Sequence, residues 1–386
     1  MIEIGLVGKP NAGKSSFLKA ATLADVKISP IPFTTLKPNI ANAYVSTSCV
    51  CKEFKVKCNP RYGACINGIR FIPIGLWDLP GIVPEAHKGR GLGLQFLDEI
   101  RKAEALIHVV DFSGLTNEEG KATENYDPEN DIKFVENEIN LWFKEVIERA
   151  LEKYKRNLKN LTREELIEIL SKQLSGLEVK REHILKTFEL ENLENLENFA
   201  RILREISKPI VIAANKIDLE SSQKNFERLK GKYKNIIPTS AEAEIALRKA
   251  NEKGLIEYFP GEKNFVIKGK LDEKQRNALE FIRKNVLEKF GSTGIQNSLN
   301  YTVFNVLKYI TVFPVADANK LTDSKGNVLP DAFLVKEGTT VKELAYLIHT
   351  DIGEKFICGV DARSKKRLAA DYILKDKDVV EIMYKK

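Results

Sequence analysis

The chain has 386 residues, of which 43% are hydrophobic, and its formal net charge at pH 7 is +7. This length favours two or three domains, and the hydrophobic content suffices for conventional cores, which excludes a chain that composition alone keeps disordered. No apolar run reaches the length of about 18 residues that a membrane span needs, and the five cysteines come without a secretory leader. We therefore expect a cytoplasmic, monomeric protein with reduced thiols and no membrane partner.

A phosphate-binding pattern opens the chain. Residues 8–15 read GKPNAGKS, which fits G-x-x-x-x-G-K-S/T, between an apolar run at 2–7 and a helix-compatible stretch at 15–23. In this pattern backbone N–H groups surround the phosphates and Lys14 reaches the β- and γ-phosphate oxygens. A Gly/Pro turn that matches by chance is the alternative. The predicted phosphate-site residues are Gly8, Lys9, Pro10, Asn11, Ala12, Gly13, Lys14, Ser15 and Ser16.

A loop between prolines follows at 31–38. Proline disfavours regular helix, so the segment is predicted to be extended. A P-loop enzyme needs a hydroxyl here to complete the magnesium shell that Ser15 begins. We assign that hydroxyl to Thr35, with Thr34 in reserve.

An apolar strand is predicted at 69–77, and the sequence DLPG follows it. Ligand chemistry lies at the carboxyl ends of parallel strands, so Asp78 can support Mg²⁺ through water and the Gly81 N–H can meet the γ-phosphate. The predicted catalytic residues are Lys14, Thr35 and Gly81, and the predicted Mg²⁺ ligands are Ser15, Thr35 and Asp78.

Four cysteines crowd together after a strand predicted at 39–48. Cys49, Cys51, Cys58 and Cys65 have the spacing C-x-C-x6-C-x6-C. Four thiolates can hold zinc in a tetrahedral site, although this spacing departs from the usual C-x2-C pairs. Reduced thiols without metal are the alternative.

A fully buried strand is predicted at 105–111, and we interpret His108 within it as a satisfied core histidine. The pattern then becomes helical and net acidic. One apolar face runs through 131–155, Thr162 opens a capping box, and LENLENLENF continues the periodicity from Leu190. We predict an inserted helical module, in the form of a coiled-coil hairpin. It either buries its own seam or contacts a partner, and its charge argues against RNA.

A second buried strand ends in the sequence NKID. Asp218 can accept hydrogen bonds from guanine N1–H and the exocyclic amine, which adenine lacks, while Asn215 reaches the base edge and the Lys216 stem packs over the ring. A short strand then leads to Ser240 and Ala241, whose backbone can meet the guanine carbonyl oxygen. An N-cap role for Ser240 is equally natural.

The C-terminal segment is separable. Strands are predicted at 309–315, 356–361 and 378–382, with a helix opened by a capping box at Thr340. This small mixed β domain resembles a TGS domain of ubiquitin-like β-grasp fold. Its basic cluster at 363–367 is either a nucleic-acid patch or an ordinary charged hairpin.

The motifs in this order resemble the Obg superfamily of translation-factor-class GTPases. PFTTL at 32–36 and HKGRGLG at 87–93 are similar to its archaeal branch related to YchF. The resemblance implies an α/β fold: a P-loop GTPase domain with a mixed, mostly parallel sheet, an inserted helical module and a C-terminal TGS domain. The predicted bounds are 1–120 with 206–300, 121–205 and 304–386.

The resemblance also implies ligands and activity. It implies GTP and GDP binding, Mg²⁺, GTP hydrolysis as a molecular switch, and a link to the ribosome or translation, with ribosome or RNA contact through the TGS domain and the basic GTPase domain. YchF proteins proper carry a disrupted base motif and resemble ATPases, whereas NKID is intact here, so we predict GTP. An ATPase, a P-loop kinase and a nucleotide-bound RNA or ribosome adaptor with little turnover remain alternatives.

Two departures bear on turnover. Ile82 stands where Ras-like enzymes place the glutamine that orients water. Asn11 in G-x-x-N-x-G-K-S is similar to the pattern of potassium-activated GTPases, which implies a K⁺ ion against the phosphates. The alternatives are that Asn11 only tolerates the turn, and that Arg90 supplies the charge.

Overall fold

The computed structural model describes residues 1–22, 40–86 and 99–385, which form two compact units. The first unit contains residues 1–22, 40–41, 75–86 and 99–298, and the second contains residues 42–74 and 299–385. The loop predicted at 31–38, with Thr34 and Thr35, and the glycine-rich text at 87–93, with Arg90, lie outside the described residues.

A parallel sheet forms the centre of the first unit. Its strands run in the order β4, β1, β5, β6, β7, and the middle strands are apolar and buried, as parallel strands covered on both faces must be. Residues 64–66 pair antiparallel with residues 69–71 at the start of β4, so the mixed, mostly parallel sheet of the prediction is confirmed. The bounds are β1 Glu3–Val7, β4 Ile69–Asp78, of which residues 75–78 belong to this unit, β5 Ala105–Asp111, β6 Ile210–Asn215 and β7 Ile236–Pro238.

Register brings the predicted motifs to one edge of this sheet. Leu6 lies opposite both Asp78 and Ile107, and Asp111 lies opposite Asn215. Since the strands are parallel, their carboxyl ends meet at the same edge. The phosphate loop, the end of β4 and the NKID motif are therefore neighbours.

Helices cover this sheet. Among the described residues, no helix is both long enough and apolar enough to cross a membrane. The helices of the first unit are α1 Lys14–Ala21, α2 Pro128–Leu151, α3 Arg163–Leu174, α4 Arg181–Leu190, α5 Leu196–Ser207, α6 Glu220–Leu229, α7 Ala241–Glu252, α8 Glu273–Ile282, α9 Glu288–Phe290 and α10 Ile295–Asn300, whose last residues 299–300 belong to the second unit.

Short helical turns and a ribbon complete the unit. Single turns of 3₁₀-helix follow three helices of the insertion, a π-helical turn joins α8 to α9, and β8 pairs with β9 in an antiparallel ribbon. Their bounds are Glu152–Tyr154, Leu158–Asn160, Ser175–Leu177, Leu193–Asn195, Arg283–Leu287, β8 Ile256–Glu257 and β9 Val266–Ile267.

The insertion folds as four helices, α2 to α5, so the predicted two-helix hairpin is wrong. The LENLENLENF text does not make one helix, because α4 ends at Leu190 and α5 begins only at Leu196. Between them the Asn192 and Asn195 side chains accept hydrogen bonds from the Glu194 and Asn198 N–H groups. Asparagine favours such caps over helix interiors, so a periodic pattern is interrupted by its polar residues. The predicted capping box at Thr162 is confirmed.

A five-stranded mixed sheet forms the core of the second unit, in the order β11, β10, β14, β12, β13. β10 and β14 are parallel and the other neighbours antiparallel, and the capping box at Thr340 opens α11 as predicted. The bounds are β10 Tyr309–Val315, β11 Phe333–Lys336, β12 Phe356–Asp361, β13 Arg367–Leu368, β14 Val379–Tyr384, α11 Val341–Ile348, α12 Thr350–Glu354 and a π-helical turn at Tyr301–Val306.

Residues 42–74 belong to the second unit, whereas the sequence analysis placed them in the nucleotide domain. They contain most of β2 (Ile40–Ser48), a 3₁₀ turn at Val50–Lys52, β3 (Ala64–Ile66) and the first part of β4. Apolar side chains of this segment share a hydrophobic cluster with β10 and β14, which explains the grouping.

Candidate nucleotide-binding site

The phosphate loop connects β1 to α1 and has backbone angles that few residues adopt. Gly13, directly before α1, has φ of 99°, and Asn11 has φ of 60°. A Cβ on Gly13 would lie 2.3 Å from Asn215 Nδ2, so contact as well as conformation requires glycine. The loop leads into the N-terminus of α1, where unpaired N–H groups favour a phosphate.

The Lys14 side chain is buried and folds back over this loop. Its Nζ donates to Gly8 O at 3.0 Å and to Lys9 O at 2.9 Å. Burial lowers the pKa of Lys14 to about 8, and the Asp78 carboxylate only partly opposes that effect. An ammonium group deprived of water in this way gains strongly from a phosphate oxygen.

The two described Mg²⁺ candidates lie together. Ser15 Oγ donates to Asp78 Oδ2 at 2.8 Å, although the residues are 63 positions apart in sequence. Thr35, the third candidate, lies outside the described residues. A hydroxyl beside a carboxylate is a set of hard oxygen donors that suits Mg²⁺ completed by water and phosphate.

The backbone after Asp78 runs against the phosphate loop. A Cβ on Gly81 would lie 3.0 Å from Pro10 Cγ, and the Ile82 N–H donates to Gly8 O at 3.1 Å. The Ile82 side chain is 1% exposed and belongs to the hydrophobic core. It therefore cannot orient a water molecule.

Asn215 connects the phosphate loop to the base loops. Its Nδ2 donates to Ala12 O at 3.0 Å, and its Oδ1 accepts from the Ala241 N–H at 3.2 Å. Because the side chain is buried, both bonds are shielded from water. The sequence analysis assigned Asn215 only to the base edge, and that contact stays a prediction.

Asp218 is oriented by Ser240. Ser240 Oγ donates to Asp218 Oδ1 at 2.7 Å and accepts from the Ala243 N–H at 3.3 Å as the N-cap of α7. The N-cap role of Ser240 is thus confirmed. A carboxylate fixed by one oxygen is arranged to accept hydrogen bonds from a base.

Lys216 pairs with a buried carboxylate at the end of β5. Its Nζ lies 2.8 Å from Asp111 Oδ2. Burial disfavours the charged form of Asp111, but Lys216 and the hydroxyls of Ser113 and Thr116 outweigh it and hold the pKa of Asp111 below its ordinary value. This contact fixes the lysine stem, and its packing over a base stays a prediction.

The segment that leads into the insertion, together with its first helix, also lies against the phosphate loop, which sequence reasoning missed. Lys9 Nζ is 2.8 Å from Asp131 Oδ2 in α2 and donates to Thr116 O at 2.7 Å. Asn11 Nδ2 donates to Gly120 O at 3.0 Å. No local pattern announces these contacts, because they join residues more than 100 positions apart. The loop is thus supported from the side of the helical module.

Burial raises the pKa of Asp131 to about 6, while Lys9 and Tyr126 act in the opposite direction. The Lys9 ammonium also lies 4.4 Å from the centre of the Tyr126 ring. Ser16 also has an unforeseen partner, since its Oγ donates to Oε1 of Glu242, in the first turn of α7, at 2.9 Å. These contacts support the phosphate loop and do not indicate a separate ligand site.

His108 is a core residue, as predicted, but it is not satisfied. It is fully buried, and neither ring nitrogen has a hydrogen-bond partner among residues 1–22, 40–86 and 99–385. Burial lowers its pKa to about 3, and the charges of Lys14 and Lys9 add to this effect. His108 is therefore neutral at physiological pH.

The fold and the motif positions define a P-loop protein with a guanine-type base motif, and comparisons with known proteins agree. Three family models match, namely 50S ribosome-binding GTPase over residues 3–153, Obg-like GTPase YGR210-like, G4 motif-containing domain over residues 213–317, and TGS domain over residues 325–384. The last match confirms the predicted TGS resemblance.

Full-length relatives narrow the class. An uncharacterized GTP-binding protein of Methanocaldococcus jannaschii is 46% identical over 99% of this chain and 99% of its own length. Another from Schizosaccharomyces pombe is 35% identical over 90% of both chains. The chain therefore belongs to the same family of GTP-binding proteins, whose matched model is Obg-like, as its motifs predicted.

Solved structures agree with this assignment. The crystal structure of a GTP binding protein from Pyrococcus horikoshii OT3 is similar with a TM-score of 0.77 and 35% identity, covering 99% of this chain and 100% of that one. The Schizosaccharomyces pombe YchF GTPase, at 19% identity and a TM-score of 0.59 over 99% of this chain and 97% of that one, supports the fold alone.

The lowered pKa of Lys14 predicts a pH-dependent nucleotide affinity. Phosphate charge raises this pKa in the complex, so above about pH 8 the complex binds more protons than the free protein. GDP affinity should be nearly constant from about pH 7 to 8 and then fall by up to about tenfold per pH unit. Calorimetric titration in buffers of different ionisation enthalpy would show the proton uptake.

The matched control is Lys14→Arg, which keeps the charge at every pH in this range. Its affinity is expected to be lower but flat above pH 8. A flat wild-type profile, or the same slope in Lys14→Arg, would contradict this role of Lys14.

Proposed function

We propose that this GTP-binding protein hydrolyses GTP to GDP and phosphate and works as a molecular switch. The observation that carries the proposal is the 2.8 Å contact between Ser15 and Asp78, beside the buried ammonium of Lys14. Ser15 and Asp78, with Thr35, would hold Mg²⁺, which supplies charge neutralisation at the phosphates when bound. A binding module in which nucleotide is only structural does not need this arrangement.

The protein's own groups have separable roles in this proposal. Lys14 exchanges the carbonyl oxygens of Gly8 and Lys9 for β- and γ-phosphate oxygens, and it stabilises their charge as the bond breaks. The Gly81 N–H senses the γ-phosphate. With Ile82 in the core, another group has to position the attacking water, so intrinsic turnover should be slow.

The base motif favours GTP over ATP. Asp218, held by Ser240, accepts from two guanine donors, and adenine would leave the carboxylate unpaired. The ATPase alternative draws on the YchF likeness, and at 19% identity that likeness concerns the fold. A P-loop kinase would need neither NKID nor the Ser240 loop.

The proposal includes contact with the ribosome or with RNA. The description of one family model as a 50S ribosome-binding GTPase favours it. The basic cluster at 363–367 favours it less than the sequence suggested, because Arg363 pairs with Glu53 at 2.7 Å and Lys365 donates to Ala318 O at 2.8 Å. These two cations are occupied within the second unit.

Substitution of Asp218 tests the base assignment. Asp218→Asn replaces an acceptor by an amide, so GTP affinity should fall by about 2–4 kcal/mol while xanthosine nucleotides, whose 2-oxo group accepts from the new amide, should bind better. Fluorescence titration with GTP and with xanthosine triphosphate measures the change in nucleotide preference. Equal binding of ATP and GTP by the wild type would refute guanine recognition.

Asn11 generates a prediction about monovalent ions. Its Nδ2 donates to Gly120 O, so its Oδ1 is the atom that could face a cation. A cation there would add positive charge at the phosphates. We expect GTP turnover at fixed ionic strength to be about tenfold faster in potassium than in sodium, about 1.4 kcal/mol of barrier.

Two variants distinguish the role of the Asn11 amide oxygen from the role of its left-handed backbone conformation. Asn11→Gly keeps the left-handed backbone and Asn11→Ala strains it, yet both remove the amide oxygen and should abolish the salt difference. If the difference survives in Asn11→Gly, the asparagine serves the turn alone. Identical wild-type rates in the two salts would exclude the cation from the mechanism.

A further inference from the structure

Four of the five cysteines converge in the second unit. The Sγ atoms of Cys49, Cys51, Cys58 and Cys65 all lie within 4.8 Å of one another. Cys49 and Cys58 sulfurs are 4.0 Å apart, and Cys51 and Cys65 sulfurs are 3.8 Å apart. The sequence left metal and reduced thiols as alternatives, and the convergence now favours one of them.

Two of the sulfur separations, 3.8 and 4.0 Å, match those of a mononuclear tetrathiolate site, and all of them stay within 4.8 Å. With Zn–S bonds of about 2.3 Å, a regular tetrahedron has S···S edges of about 3.8 Å. A disulfide would bring two sulfurs to about 2.0 Å. A polynuclear iron–sulfur cluster spreads its cysteines over several irons, too far apart for all the separations to stay this short.

Local structure explains how distant cysteines meet. The 3₁₀ turn at Val50–Lys52 brings Cys49 and Cys51 to the same side, and the Cys49 N–H donates to Gly68 O at 2.9 Å. Cys65 lies on β3, paired with Arg70 of β4. The 3₁₀ turn and β3 thus direct their cysteine sulfurs to one point. Reduced thiols that only pack as small hydrophobic side chains would not require this convergence.

A buried cation accompanies the sulfurs. Arg70 is 1% exposed, donates only to the carbonyl oxygens of Leu329 and Pro330 among the described residues, and leaves its Nε without a hydrogen-bond partner there. Arg70 lies opposite Cys65 in the pairing of β3 with β4. Four thiolates around a divalent ion carry a net charge of −2, which a buried guanidinium stabilises.

The same segment is joined to the C-terminal sheet at several points. The Asn59 N–H donates to Val328 O at 2.8 Å and the Arg61 N–H to Pro330 O at 2.9 Å. Cys49 and Cys51 share a hydrophobic cluster with Phe313. A group that binds the four sulfurs would therefore also hold in place the surface by which residues 49–68 contact the C-terminal sheet.

We propose that Cys49, Cys51, Cys58 and Cys65 bind one Zn²⁺ ion as a structural site that holds residues 49–68 against the C-terminal β-grasp sheet. The site has no open position for substrate, since all four ligands are protein sulfurs.

Metal analysis of untagged full-length protein tests the proposal. Wild type should contain about one zinc per chain, and cobalt exchanged into it should give the intense visible absorption of tetrahedral thiolate coordination. Cys58→Ser should lose most of the metal. The control is Cys358→Ser, since Cys358 lies on β12 outside the cluster and contacts Met383, and it should keep the metal.

A measurement on wild type covers the case in which Cys58→Ser does not fold. Alkylation followed by intact mass should add one group, at Cys358, to the native protein and five after chelation. The same number of adducts with and without chelator, a folded wild type that neither contains nor takes up zinc after reduction, or a mass showing two disulfides would each overturn the site.

Discussion

The side-chain amide of Asn215 holds the candidate site together. It donates to Ala12 O in the phosphate loop and accepts from the Ala241 N–H at the start of α7. Gly13 is required because a Cβ there would collide with this amide. The Asn215 hydrogen bonds thus join the phosphate loop to the base loop within the protein itself.

The helical insertion is tied to the same assembly through α2. Asp131 pairs with Lys9 of the phosphate loop, and Glu138 accepts from the Glu85 N–H at 2.9 Å, close after the DLPG segment. One helix therefore contacts the two segments that would sense phosphate. A shift of either segment would therefore reach the insertion directly.

Local chemistry made part of this molecule predictable. The phosphate loop, Asp78 and NKID each follow an apolar strand, so their types and positions were visible in sequence, and the parallel sheet follows from their order. Contacts between distant residues were not visible. Lys9 looks like any loop residue until Asp131 is placed beside it, and the cysteine spacing did not reveal that the segment packs on the C-terminal sheet. The break before α5 was hidden because asparagine caps compete with an unbroken apolar period.

The equilibrium affinity of Asn215→Ala for GDP in the presence of magnesium tests directly whether Asn215 organises the site. Loss of both hydrogen bonds should separate the phosphate and base loops and weaken GDP binding by at least about 2–4 kcal/mol, roughly 30- to 1000-fold. The far-ultraviolet circular dichroism should stay that of the folded protein. An affinity within threefold of wild type would contradict the claim that this amide organises the site.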